Sequence, residues 1–130
     1  MKNFGLIGRS LSHSFSKTYF EKKFNELGLK DHVYLNFELP TIDEIKKVLK
    51  TENLNGLNVT NPYKEEIIPF LDELSIEAKE IGAVNCVKII NNKTIGYNTD
   101  CYGFAQSIKP FLDTTHERAL ILGTGGAAKA

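Results

Sequence analysis

The stretch Asn55-Gly56-Leu57-Asn58-Val59-Thr60-Asn61-Pro62-Tyr63-Lys64 decides how this chain is read. Residues 55–60 form a strand pattern in which Leu57 and Val59 point to one face. Asn61 follows as an N-cap and Pro62 as a first helical position, where a missing N–H is tolerated. A strand that runs directly into a helix is half of an α/β unit. Its polar residues fall at the C-terminal end of the strand, which is where such sheets bind ligands.

The same alternation extends in both directions from this stretch. Upstream, Phe4–Ile7 is a short apolar strand stopped by Gly8. Tyr19, Phe20, Phe24 and Leu27 repeat at helical spacing up to Gly28, a natural C-terminal stop. Val33, Leu35, Phe37 and Leu39 alternate as a second strand. Thr41 and Glu44 are spaced as a capping box for a helix striped by Ile42, Ile45, Val48 and Leu49. Downstream, Ile67, Phe70, Leu71 and Leu74 continue the Pro62 helix, which Pro69 must kink or interrupt. A further helical piece runs from Ser75 to Ile81 and ends at Gly82. Residues 83–90 and 94–98 flank Asn91-Asn92-Lys93 as a hairpin. Asp100 caps a helix carrying Phe104, Ile108 and Leu112, and Ala119–Leu122 is a last strand before Gly123-Thr124-Gly125-Gly126-Ala127. The expected fold is therefore α/β: a three-layer αβα sandwich with a mostly parallel mixed sheet, followed by the first strand and glycine turn of an incomplete Rossmann domain.

Composition narrows the function. Sixteen basic residues balance sixteen acidic ones, so no global field draws nucleic acid or an anionic membrane. No stretch approaches the ~18 apolar residues of a membrane span. The first apolar run is broken by Gly8 and Arg9 before it could act as a signal-peptide core. Cys86 and Cys101 are too few and too isolated for a metal site or a disulfide framework, and two reduced thiols fit a cytoplasmic protein. His13, His32 and His116 lack ligand spacing, so no metal is expected.

The strand ends carry the candidate chemistry. In Arg9-Ser-Leu-Ser-His-Ser-Phe-Ser16, an extended loop projects Ser14 and Ser16 to one side, where they bind a carboxylate or one simply caps the next helix. Lys64 falls in a first helical turn, where the macrodipole disfavours a cation. That setting suits a lysine that gives and takes a proton; a solvated lysine with no task is the alternative. Asp100 either caps its helix or presents a carboxylate to a substrate hydroxyl or to a lysine. Asn85 is polar where a strand expects an apolar residue and so requires a partner. Gly123, Gly125 and Ala128 fit the Gly-x-Gly-x-x-Ala dinucleotide fingerprint, although a small-residue turn accounts for them too.

Taken together, these segments resemble the shikimate dehydrogenase family. Gly-Leu-Ile-Gly-Arg-Ser-Leu-Ser-His-Ser-Phe-Ser is similar to its opening signature and Asn-Val-Thr-Asn-Pro-Tyr-Lys-Glu to its lysine motif. Gly-Ala-Val-Asn resembles its middle motif, Gly-Tyr-Asn-Thr-Asp its aspartate motif, and Leu-Gly-Thr-Gly-Gly-Ala-Ala-Lys-Ala the start of its NADP domain. They occur in the family's order from residue 4 to 130. The resemblance implies reversible NADPH-dependent reduction of 3-dehydroshikimate to shikimate. It also implies a shikimate-binding domain over 1–112 and a truncated NADP-binding Rossmann domain over 113–130.

By the same resemblance, Ser14 and Ser16 bind the shikimate carboxylate, while Thr60, Asn85 and Asp100 bind ring hydroxyls. Lys64 and Asp100 form the catalytic pair, with Asn58 and Thr99 as neighbours. Gly123, Thr124, Gly125, Gly126 and Ala127 begin the NADP phosphate loop. The departures are Asn61, Tyr63 and Tyr97, each unusual for the family at its position. A quinate/shikimate dehydrogenase paralogue and a non-catalytic binding module are the rival readings. Without the rest of the nucleotide-binding domain, residues 119–122 lack strand neighbours, leaving an edge that frays or pairs with a second copy in a homodimer.

Overall fold

The computed structural model describes residues 1–130. Its strands are β1 (Lys2–Gly8), β2 (His32–Glu38), β3 (Leu54–Val59), β4 (Glu73–Leu74), β5 (Cys86–Ile90) and β6 (Lys93–Tyr97). The helices are α1 (Ser16–Glu26), α2 (Ile45–Val48), α3 (Ile76–Ile81), α4 (Asp100–Ile108) and α5 (Gly126–Lys129). One six-stranded sheet has the order β2-β1-β3-β5-β6-β4. The β2, β1 and β3 strands are parallel, β5 runs antiparallel to both β3 and β6, and β4 is parallel to β6.

Consecutive residues of β1 explain the layers. Leu6 and Ile7 point to opposite faces and are both buried, as a strand covered on both sides requires. Leu6 packs with Leu11 and Tyr34 against Phe4, Phe20 and Phe24, a core closed by α1. Ile7 packs with Ile45, Val48, Val59, Tyr63, Ile67, Ala78 and Val84 under α2 and α3. The expected sandwich is present, with the sheet as its middle layer.

The β5–β6 hairpin turns on Asn91 and Asn92, both left-handed with φ of 51° and 62°. Two successive left-handed residues match the twist of the strands they join. Lys93 belongs to β6, so the loop is one residue shorter than expected. At α3, Ser75 caps through its hydroxyl, which accepts from Ala78 N–H at 3.1 Å, and Gly82 closes the helix at φ 71°.

Several expectations fail, each for a local reason. Residues 61–67 form successive turns rather than a helix, followed by a 3₁₀ turn over Ile68–Phe70. Tyr63 and Ile67 are fully buried there, and the Tyr63 hydroxyl donates to the Leu39 carbonyl, pinning the segment to the core. Pro69 supplies no N–H to continue a helix, and Leu74 falls in β4. The Thr41–Glu44 box makes no side-chain cap bond; a 3₁₀ turn precedes the single turn of α2. The α4 helix ends at Ile108, short of Leu112, and buries none of its residues; Phe104 and Leu112 are both exposed. Residues 119–122 form no strand, because no neighbouring strand accepts their hydrogen bonds. Leu120, Ile121 and Leu122 are accordingly open to solvent.

Candidate active site

Polar side chains gather at the end of the sheet where β3 and β6 finish and β5 begins. Lys64 Nζ donates to Asp100 Oδ2 at 2.6 Å. The other carboxylate oxygen, Asp100 Oδ1, accepts from Asn85 Nδ2 at 2.8 Å. Asn85 Nδ2 also donates to Thr99 Oγ1 at 2.8 Å, and Thr99 N–H donates to Asn85 Oδ1 at 2.9 Å. The asparagine that interrupts the strand pattern thus has its partners.

Backbone bonds hold the three carriers together. Val84 N–H donates to the Lys64 carbonyl at 2.7 Å, and Asn85 N–H donates to the Tyr97 carbonyl at 3.0 Å. The Asn85 carbonyl accepts from Val59 N–H at 2.8 Å. Lys64 is therefore placed by a turn fastened to residue 84 and not by a helix dipole, contrary to expectation. Its charge is met by the Asp100 carboxylate instead.

Asp100 differs in a similar way. It is the first residue of α4, and its own side chain does not cap the helix. Asn98 does that work: its Oδ1 accepts from Asp100 N–H at 3.0 Å and Cys101 N–H at 3.4 Å. The carboxylate is thereby free to hold Lys64, and a negative charge at a helix N-terminus is favourable. The cap expected of the aspartate thus belongs to the asparagine two residues earlier, an equally strong cap former.

The serine loop follows β1. Ser14 Oγ accepts from Ser16 N–H at 3.3 Å, and Phe15 has helical dihedrals, so the loop is not extended and strand alternation does not align the two hydroxyls. Leu11 N–H donates to a Glu38 carboxylate oxygen at 2.7 Å, tying the loop to the end of β2. Beneath it, the buried Tyr34 hydroxyl donates to Asn58 Oδ1 at 2.7 Å. Burial pushes the Tyr34 phenol up, and the Ser16 hydroxyl offsets this in part. Thr60 N–H donates to the Ile7 carbonyl at 2.9 Å, placing Thr60 between the serine loop and Lys64.

Two cavities meet at Thr99. One, of about 560 Å³, lies on the α1 face over β3, β5 and β6, lined by Tyr34, Asn58, Cys86 and Tyr97 among others. Burial pushes the Cys86 thiol up, so it is a poor nucleophile. The other, of about 670 Å³, lies between Lys64, Asp100 and Gly103 and the residues from Ala127 to Ala130. Gly125 precedes α5 with nothing within 4 Å of a Cβ built on it, whereas a Cβ on Gly126 would lie 2.7 Å from that of Lys64. Gly123, at φ 130°, holds a conformation that favours glycine. Thr124 and Ala127 are exposed beside them. Ala127 and the residues after it in α5, which follow the glycine turn, share one cavity with the lysine–aspartate pair. No cluster of His, Cys, Asp or Glu is arranged to hold a metal, and no helix is long and apolar enough to cross a membrane.

An α/β domain with its polar side chains converging at strand ends beside a cavity is a small-molecule-binding domain. The family profile described as the shikimate dehydrogenase substrate binding domain matches residues 6–87. The NADP(+) shikimate dehydrogenase of Staphylococcus haemolyticus is 45% identical over 129 residues, covering 97% of this chain and 48% of that protein. Shikimate dehydrogenase 1 of Peptoclostridium difficile superposes with a TM-score of 0.90 at 42% identity, over 99% of this chain and 50% of that one. The Thermus thermophilus enzyme, solved in complex with NADP(H) and shikimate, superposes with a TM-score of 0.86 at 34% identity, over 99% and 49%. The chain belongs to the shikimate dehydrogenase family. It spans about half the length of the curated relatives it matches.

Proposed function

We propose that this chain is the shikimate-binding half of a cytoplasmic, NADP-dependent shikimate dehydrogenase, with residues 1–112 as the substrate domain and 113–130 as the start of the NADP domain. The observation that carries this is the 2.6 Å contact of Lys64 Nζ with Asp100 Oδ2, with Asn85 on the second carboxylate oxygen. A carbonyl accepting hydride at carbon needs a proton at oxygen. Lys64 Nζ gives that proton during reduction of 3-dehydroshikimate and takes one from the shikimate hydroxyl during oxidation. Asp100 keeps the ammonium aimed and, with Asn85 and Thr60, accepts or donates to ring hydroxyls. Ser14 and Ser16 meet the carboxylate.

NADPH supplies the hydride when bound. Gly123, Thr124, Gly125, Gly126 and Ala127 would begin its phosphate site, and the open side of Gly125 suits the close approach of a phosphate oxygen. The free thiols of Cys86 and Cys101 accord with a reducing compartment.

Titrating shikimate and quinate into the isotopically labelled chain tests the proposal. Shikimate is expected to bind weakly and to shift amides of Ser14, Ser16, Thr60, Asn85 and Asp100, with no NADP-dependent turnover by the chain alone. Absence of shifts at those residues up to millimolar shikimate would sink the assignment, and a preference for quinate would move it to the paralogue.

A further inference from the structure

Asn98 is a buried polar side chain with no place in the chemistry above; it is 8% exposed in the two-residue link between β6 and α4. Capping α4 uses only its carbonyl oxygen, which accepts from the N–H groups of Asp100 and Cys101. Serine or aspartate would do that equally well. Its amide nitrogen points elsewhere and donates to the Ala83 carbonyl at 3.1 Å.

Ala83 opens the segment on which the site hangs. Val84 N–H bonds the Lys64 carbonyl, and the Asn85 side chain bonds the Asp100 carboxylate. One planar amide therefore clamps the backbone of Asp100 to the segment before β5 that places Lys64 and Asn85. Among side chains of this length, only asparagine offers an acceptor and a donor on opposite sides of one rigid group.

We propose that Asn98 is a positioning residue: its two-sided amide sets the distance between the Asp100 carboxylate and the Lys64 ammonium. The inference rests on Lys64 and Asp100 being the groups that work on shikimate. Asn98→Asp keeps both capping bonds, replaces the donor with an oxygen facing the Ala83 carbonyl and adds a charge, whose direct effect is read separately in the Asp100→Ala background. Helix and fold are expected to persist by circular dichroism.

In the unliganded chain, the Asn85 side-chain amide and Lys64 Nζ signals should shift in Asn98→Asp. The Asn3 side-chain amide, bonded to Glu52 at the N-terminal end of β1, should not. Shikimate affinity should fall about 10-fold or more, the scale of one hydrogen bond to a charged group. In an Asp100→Ala background the same substitution should change affinity less than about 2-fold, since its route runs through Asp100. Unchanged Asn85 and Lys64 signals, or equal losses in both backgrounds, would overturn the proposal. If the unaltered chain fails to bind shikimate, the functional assignment falls, while the ligand-free signals still decide the role of Asn98.

Discussion

Replacing Asp100 by asparagine separates a carboxylate that holds Lys64 from one that merely lies beside it. Both oxygens now face donors: Lys64 Nζ at 2.6 Å on one, Asn85 Nδ2 at 2.8 Å on the other. A carboxamide has one oxygen, so whichever way it turns, its NH₂ meets a donor. The Lys64 side chain is 14% exposed and that of Asp100 35%. The pair lies between exposed pairs, worth about 0–1 kcal/mol, and buried ones, whose one-sided removal costs about 3–5 kcal/mol. A loss of about 1.5–3 kcal/mol follows, the range for hydrogen bonds to charged groups. For a chain of this size that lowers Tm by roughly 5–12 °C.

Lys64→Met removes the other charge but leaves Asp100 with Asn85 and water, so it should cost under about 1 kcal/mol. The double variant should regain most of the Asp100→Asn loss, since no unpaired ammonium remains. Thermal and urea unfolding near pH 7 measure all three. An Asp100→Asn chain within about 0.5 kcal/mol of the unaltered one would refute the reasoning.

In a two-domain form, Lys64→Ala is expected to lower kcat by at least ~100-fold with a smaller change in KM, as the remaining substrate contacts survive; steady-state kinetics with shikimate and NADP checks this. Amides of residues 118–125 donate no backbone hydrogen bond and should exchange with solvent almost as fast as in an unfolded peptide. Strong protection there in a demonstrated monomer would contradict the structure, and protection rising with concentration would indicate pairing with a second copy. The Asp72 carboxylate accepts from the backbone N–H and the hydroxyl of Thr94, which hold it below the ordinary carboxylate range. A depressed folded value gives stability that is present above the ordinary value and lost as pH falls through the folded one. Asp72→Asn should therefore destabilise at pH 7, and the difference from the unaltered chain should shrink in acid melts as pH falls below the ordinary carboxylate value.

Much of this architecture was legible because the sheet's interior leaves a period in the sequence. Leu6 beside Ile7, and Leu57 alternating with Val59, mark strands whose faces are covered, and Gly28 and Gly82 mark helix ends. What the sequence hid depends on groups far apart along the chain. Nothing local in Asn61–Ile67 says that Tyr63 reaches the Leu39 carbonyl, and that contact replaces the helix with turns. Lys64 was found, but for a dipole that is not there; its partner lies 36 residues away. Asn98 reads as no more than a strand end, because its second bond, to Ala83, spans 15 residues. Apolar content alone marked Ala119–Leu122 as a strand, yet a strand also needs a neighbour, which no single segment can supply.

The hairpin turn at Asn91 and Asn92 governs more than its own corner. It stands at the far end of β5 and β6, roughly 17 Å from the site at ~3.4 Å per residue. Its length sets the phase of both strands, pairing Ile90 with Lys93 and Cys86 with Tyr97. Asn85 and Asn98 are the next residues outward on each strand, so the alignment of the Lys64–Asp100 pair is inherited from that phase. A slip of one residue would set Cys86 against Asn98 and send alternate side chains to the wrong face. Two exposed asparagines with no chemistry of their own thus act as a remote gauge, and an error at one rim of the sheet would be read out at the other.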